Sequence, residues 1–193
     1  MSGPITEFTA VVPHWQPRVT PIDQESATQE QRESFKETPS NMKVSDYTLV
    51  LAHDPETLTQ RTPLFNGIMY SRGGLSRAET ELGAVAASVF NRCIYCTAVH
   101  ASRYNELTKD ETVMQRIFES AADADLDSRQ TAILGFATGL SQTPSQASKA
   151  DVERLVREGL SMEEVLDLVL AASLFGWANR LMHTLGQPMP KPK

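Results

Sequence analysis

The chain has 193 residues, 40% of them hydrophobic and 22% charged, with a formal net charge of −6. That length supports one domain with a sizeable core, and the acid excess, with no cluster of Lys and Arg, argues against nucleic acid as a partner. No apolar run approaches the roughly 18 residues that span a bilayer, and the first residues lack the basic start and apolar middle of a signal peptide. A cytoplasmic location with no membrane partner is therefore expected.

Residues 1–45 read as an N-terminal arm and 46–193 as a helical domain. Pro4, Pro13, Pro17, Pro21 and Pro39 keep the arm extended apart from one short helix near 24–37. Val11, Val12 and Trp15 are too apolar for a solvated tail, so the arm is expected to pack on a body, its own or a neighbouring subunit's. His14 and His53 are isolated and read as surface or capping residues. Ser45 or Asp46 caps a short helix carrying Tyr47, Leu49, Val50 and Leu51, and Asp54-Pro55-Glu56 opens another. Thr62-Pro63 interrupts that second helix, its apolar stripe resumes to about Tyr70, and Gly73-Gly74 end it.

Ser76, with Glu79 three residues on, is a capping box before a helix at 77–90. That helix is so poor in polar residues that it must be buried on most sides. Asn91-Arg92 breaks the chain before a second helix at 93–107, and shorter helices follow at about 109–120, 126–142 and 148–158. Ser161 and Glu164 make another capping box for a long apolar helix from Met162 to about Leu185, and 187–193 reads as a tail. Met42, Met69, Met114 and Met162 read as core filling, Trp177 as core or interface packing, and His183 as an exposed neighbour of Arg180. No run alternates as a strand does, so the fold class is all-α. The apolar face of 162–175 exceeds what one small bundle hides, which implies a homo-oligomer.

Both cysteines lie between Glu81 and His100. On a helix turning about 100° per residue, Cys93, Cys96 and His100 fall within about 60° of one another. A cysteine in the first turn meets unpaired N–H groups and the positive end of the helix dipole, which favour a thiolate. Glu81, at the start of the buried helix, is expected to have a perturbed ionisation whose direction depends on whether burial or a nearby cation wins. Two thiols one turn apart beside an imidazole are the parts of a redox centre. Three bland readings compete. A structural disulfide closes too small a loop and suits a cytoplasmic chain poorly. A zinc site from Cys93, Cys96, His100 and Glu81 crowds its sulfur and nitrogen ligands onto one helix. Packing as small hydrophobes leaves the adjacent His and Glu without a purpose. No metal or organic cofactor is expected.

The pattern Glu-x11-Cys-x2-Cys-x3-His, with Asn91 two residues before the first cysteine and Tyr95 just before the second, resembles the alkylhydroperoxidase D (AhpD) core of the carboxymuconolactone decarboxylase-like superfamily. The likeness extends over about 54–186. Leu75-Ser-Arg-Ala-Glu-Thr-Glu81 resembles the start of the family's catalytic helix, and Phe175-Gly-Trp-Ala-Asn-Arg180 with Leu185-Gly186 resembles the end of its peroxidase-related branch. Thr80 departs from the pattern where relatives often carry Arg. The resemblance implies an AhpD-like helical bundle, assembled as a dimer, trimer or hexamer, that reduces alkyl hydroperoxides through a CxxC redox pair. It implies Cys96 as the attacking and Cys93 as the resolving thiol, although first-turn placement by itself favours Cys93. The i, i+4 relation to Cys96 makes His100, with Glu81 to orient or charge it, the candidate proton relay. Tyr95 and Asn91 are candidate substrate-lining residues, Tyr95 equally a filler between helices, and the resemblance implies Asn179-Arg180 as a structural hydrogen-bonding pair. The partners it implies are a hydroperoxide and a thiol electron donor, lipoyl or thioredoxin-like. A lactone-processing lyase that needs no thiols, and a non-catalytic binding protein on the same fold, stay open.

Overall fold

The computed structural model describes residues 3–35 and 44–191, so the expectations for Glu37, Pro39 and Met42 lie outside the described residues. The architecture is all-α, with helices α1 (Gln29–Ser34), α2 (Asp46–Leu51), α3 (Pro55–Tyr70), α4 (Arg77–Phe90), α5 (Ile94–Thr108), α6 (Thr112–Ser120), α7 (Ser128–Ser141), α8 (Lys149–Arg157) and α9 (Met162–Leu185). Capping chemistry sets most of these starts. Ser45, Asp54, Ser76, Asp127, Ser148 and Ser161 each accept the backbone N–H three residues ahead, satisfying a donor the helix cannot.

Helix α4 is the centre of the molecule. Every residue from Thr80 to Val89 is buried, and the helix packs on α5, α7 and α9. Its small residues permit close approach: a Cβ added at Gly83 meets Leu168 Cδ1 at 2.6 Å. The core around it includes Leu82, Ile133, Leu134, Leu168 and Phe175, all 2% exposed or less.

Three expectations change. Pro63 does not interrupt α3, which is continuous through it. Pro63 and Thr59, whose carbonyl loses its N–H partner there, are both exposed, so the position lies open to solvent and the lost bond costs little. Met162 is not core filling but 65% exposed, and Trp177 is 40% exposed. Helix α9 carries an 18-residue window of mean hydropathy 1.3, long and apolar enough to cross a membrane, against the expectation that no segment was. Half of that window is buried, because Leu168, Ala171, Ala172, Phe175 and Ala178 face the core. Met162, Leu166 and Leu170 form an exposed stripe at helical spacing on the other side.

The arm and the C-terminal segment are not two separate tails. His14–Pro17 (β1) pairs antiparallel with Gly186–Met189 (β2), Trp15 facing Pro188 and Pro17 facing Gly186. Trp15 is 5% exposed, stacks edge-on against Tyr47 at 5.5 Å and donates its indole N–H to the Met182 carbonyl. Its ring lies flush on Gly186, where an added Cβ would sit 2.2 Å from Trp15 Cε2. The expected helix near 24–37 is the shorter α1, and the arm folds onto its own chain.

Candidate active site

Helix α4 ends at Asn91, Arg92 turns the chain with a φ of 57°, and α5 begins at Ile94. Cys93 is therefore the N-cap of α5, one residue before the first turn in which it was expected. Its own N–H bonds the Ser88 carbonyl at 2.8 Å. Cys96 follows three residues on, and both are buried free thiols, 2% and 5% exposed.

The two sulfurs have opposite electrostatics. Cys93 is held below the ordinary thiol range, first by the Cys96 thiol beside it. Backbone N–H groups of Cys96 and Tyr95 and the Asn179 amide also favour its thiolate, while burial opposes them. Cys96 is pushed well above that range, because its proton is the one shared with Cys93, and because burial and the neighbouring negative charge penalise a second thiolate. Of the pair, Cys93 is the sulfur that ionises more readily and Cys96 the one that keeps its proton.

Asn179, on α9 and fully buried, is the cross-brace of the site. Its Oδ1 accepts from Asn91 Nδ2 at 3.1 Å and its Nδ2 donates to Ser88 Oγ at 3.1 Å, while its amide also reaches both sulfurs. Asn91 is paired with Asn179 and is not among the described residues that line the Cys93 cavity. Tyr95 lines two cavities, one that reaches Cys93 and one beside Tyr47. Tyr47, from α2, is pushed up to about 12 chiefly by burial, with the nearby Cys96 and Cys93 adding to the rise against Arg61.

Glu81 and His100 form the second half of the site. His100 Nδ1 lies 2.5 Å from Glu81 Oε2, and the imidazole stands edge-on to Phe175 with ring centres 4.3 Å apart. The other carboxylate oxygen accepts from Arg77 Nε at 2.9 Å and also pairs with Arg77 Nη2. Burial raises the Glu81 carboxyl, but His100 and Arg77 outweigh it and hold the group below the ordinary carboxylate range. The cation beside Glu81 is Arg77, one turn earlier on the same helix. His100 is on the α5 face of Cys96, one turn later, with Nε2 free of hydrogen bonds among the described residues. No hydrogen bond joins that nitrogen to either sulfur, and no set of three His, Cys, Asp or Glu among the described residues comes together around one point. The predicted site residues thus form two adjoining pairs, Cys93–Cys96 and Glu81–His100.

The carboxymuconolactone decarboxylase family model matches residues 55–139, the segment that holds Glu81, both cysteines and His100. Over that segment the chain matches the carboxymuconolactone decarboxylase family, and its fold is AhpD-like. No curated protein matches it. Among solved structures it is similar to an AhpD-core, uncharacterized peroxidase-related protein of Ralstonia eutropha, with 26% identity, 92% of this chain and 93% of that chain covered, and a TM-score of 0.77. A peroxidase-related protein of a Silicibacter species shares the fold at 24% identity and a TM-score of 0.73, covering 90% of this chain and 94% of that one. The debrominase Bmp8 shares it at 19% identity and a TM-score of 0.73, with 89% and 92% covered. Within this AhpD-like protein, sequence reasoning left Arg77, Tyr47 and Phe175 out of the site. The arginine carried a readable signal, since an Arg four residues before a buried Glu on one helix is its natural partner.

Proposed function

We propose that this AhpD-like protein is a thiol-dependent peroxidase that reduces organic hydroperoxides through Cys93 and Cys96. The observation that supports this reading is the placement of the two free thiols: Cys93 at the head of α5, on the wall of a cavity and held below the ordinary thiol range, with Cys96 beside it and pushed above that range. A thiolate is the nucleophile that cuts an O–O bond, and a neighbouring thiol is what rescues the product.

The Cys93 thiolate attacks the terminal peroxide oxygen, the O–O bond breaks, and the alkoxide leaves and takes a proton, giving Cys93 sulfenic acid and an alcohol. The Cys96 sulfur then attacks the Cys93 sulfur, an S–S bond forms, and the sulfenic oxygen departs with the Cys96 proton as water. Because burial continues to favour the protonated Cys96 after Cys93 is oxidised, this second step needs a base. His100, its Nδ1 held by Glu81 and its Nε2 one turn from Cys96, is assigned that task through a water molecule. A dithiol donor restores the pair by exchange. The order of the cysteines here is the reverse of the one the family resemblance implies. A lactone-type lyase would use Glu81 and His100 alone, and gives the shared proton of the two thiols no purpose.

The test is stoichiometric. Reduced protein given one equivalent of cumene hydroperoxide is expected to lose two thiols and release one equivalent of alcohol, and Cys93→Ser is expected to do neither. Unchanged thiols in the wild type would remove the peroxidase reading.

A further inference from the structure

Cys93 opens into a cavity of about 280 Å³ closed by the arm on one side and by the end of α9 and β2 on the other. The volume is roughly twice the ~150 Å³ that takes a benzene ring. Trp15, Ile94, Tyr95 and Met182 give it apolar walls. Its charged lining is one-sided: Arg18 and Arg92 are among the lining residues, and none of the described residues lining it is Asp or Glu. In a chain of net charge −6, that is the reverse of the overall balance.

The two arginines differ in their commitments. Arg18 is tied to the frame, donating through Nη1 to the His183 carbonyl and through Nη2 to Gln187 Oε1. Arg92 lies one residue before Cys93, fixed there by the turn with φ 57°. Its guanidinium rests on the Phe8 ring with 5.0 Å to the ring centre, yet it has no hydrogen bond or ion pair among the described residues. A planar fork with its donors unspent, on the residue next to a nucleophilic cysteine and lining the same cavity, suits the recognition of a carboxylate.

Building on the peroxidase reading, the geometry points to a substrate class: a small organic hydroperoxide that carries a carboxylate, its apolar body against Trp15 and Met182 and its anionic head held by Arg92 and Arg18. The reaction is the one balanced above, with the carboxylate a spectator that orients the peroxide towards Cys93.

Two measurements on the full chain separate this from the parent reading. With dithiothreitol as donor, cumene hydroperoxide is compared with its para-carboxylated analogue. Wild type is expected to favour the carboxylated peroxide in kcat/KM, and Arg92→Gln to reduce that ratio roughly tenfold, while Arg92→Lys, which keeps the charge, retains much of it. Independently of any peroxide, the ratio of Cys93 alkylation rates with iodoacetate and iodoacetamide is expected to fall by a similar factor in Arg92→Gln and in Arg18→Gln. Equal turnover of the two peroxides with alkylation ratios unmoved by either substitution would overturn the anion site and leave the peroxidase standing. No consumption of either peroxide, with the alkylation ratios falling as expected, would overturn the hydroperoxide assignment and keep the anion site.

Discussion

Glu81 and His100 face each other across two helices, carboxylate oxygen to imidazole nitrogen at 2.5 Å, with Arg77 on the far oxygen and the carboxylate side chain 1% exposed. The chain of three groups matters because each member fixes the next. His100 and Arg77 together hold Glu81 below the ordinary carboxylate range, Glu81 holds the imidazole by Nδ1, and Nε2 is left without a hydrogen bond among the described residues.

Removing the middle member tests that chain. Glu81→Gln leaves Arg77 and His100 without their shared charge and is expected to destabilise the protein by about 3–5 kcal/mol in denaturant unfolding. Disulfide closure after peroxide addition is expected to slow by about 10²-fold or more, the scale of a general base. A variant that closes its disulfide at the wild-type rate would remove His100 and Glu81 from the second step.

Acid sensitivity follows from the same carboxyl. Glu81 titrates lower in the folded protein than in the unfolded chain, so the unfolded state binds the proton more readily. Its stabilising effect is complete above the unfolded value near ~4.3 and is lost as pH falls through the folded one. Unfolding curves collected from neutral pH downwards are expected to show a steeper loss for wild type than for Glu81→Gln across that window.

Asn179 is expected to act on the thiols at a distance. Asn179→Leu strips the amide from both sulfurs and unpairs Asn91 Nδ2 and Ser88 Oγ, costing about 1–3 kcal/mol in stability. The distinguishing readout is chemical. The pH profile of Cys93 alkylation is expected to move upwards, because a donor to its thiolate has gone; a profile that stays put while stability falls would make Asn179 a brace only.

The motif helices were legible because their signals are local: a capping serine, a nearly unbroken apolar α4, the Asn91-Arg92 break and the CxxC spacing. What escaped was non-local. β1 and β2 are four residues each, contain Pro17 and Pro188, and pair segments from opposite ends of the chain, so neither shows the alternation that marks a strand. Pro63 read as a break because helix-breaking is its average behaviour, and only exposure on α3 excuses it here. Asn179 could be identified as a hydrogen-bonding residue, but its reach to the sulfurs depends on how α9 crosses α4.

The terminal pairing also yields a prediction. Gly186→Ala drives a methyl into the Trp15 ring and is expected to cost about 1–3 kcal/mol and to loosen the cavity wall over Cys93. Trp177 is already 40% exposed, so a red shift in tryptophan emission would report Trp15. Unchanged emission and stability would show that β1 and β2 are not held as described.

The central claim is that the first cysteine is the ionised one and strikes the peroxide. Cys96→Ser, treated with one equivalent of organic hydroperoxide in the presence of a sulfenate-trapping dione and digested for mass spectrometry, tests it most directly. The account predicts a trapped sulfenate on Cys93 in nearly every molecule and no comparable adduct on Cys96 in the converse Cys93→Ser protein. A stable adduct on Cys96 in Cys93→Ser, with Cys93 unmodified in Cys96→Ser, would contradict it.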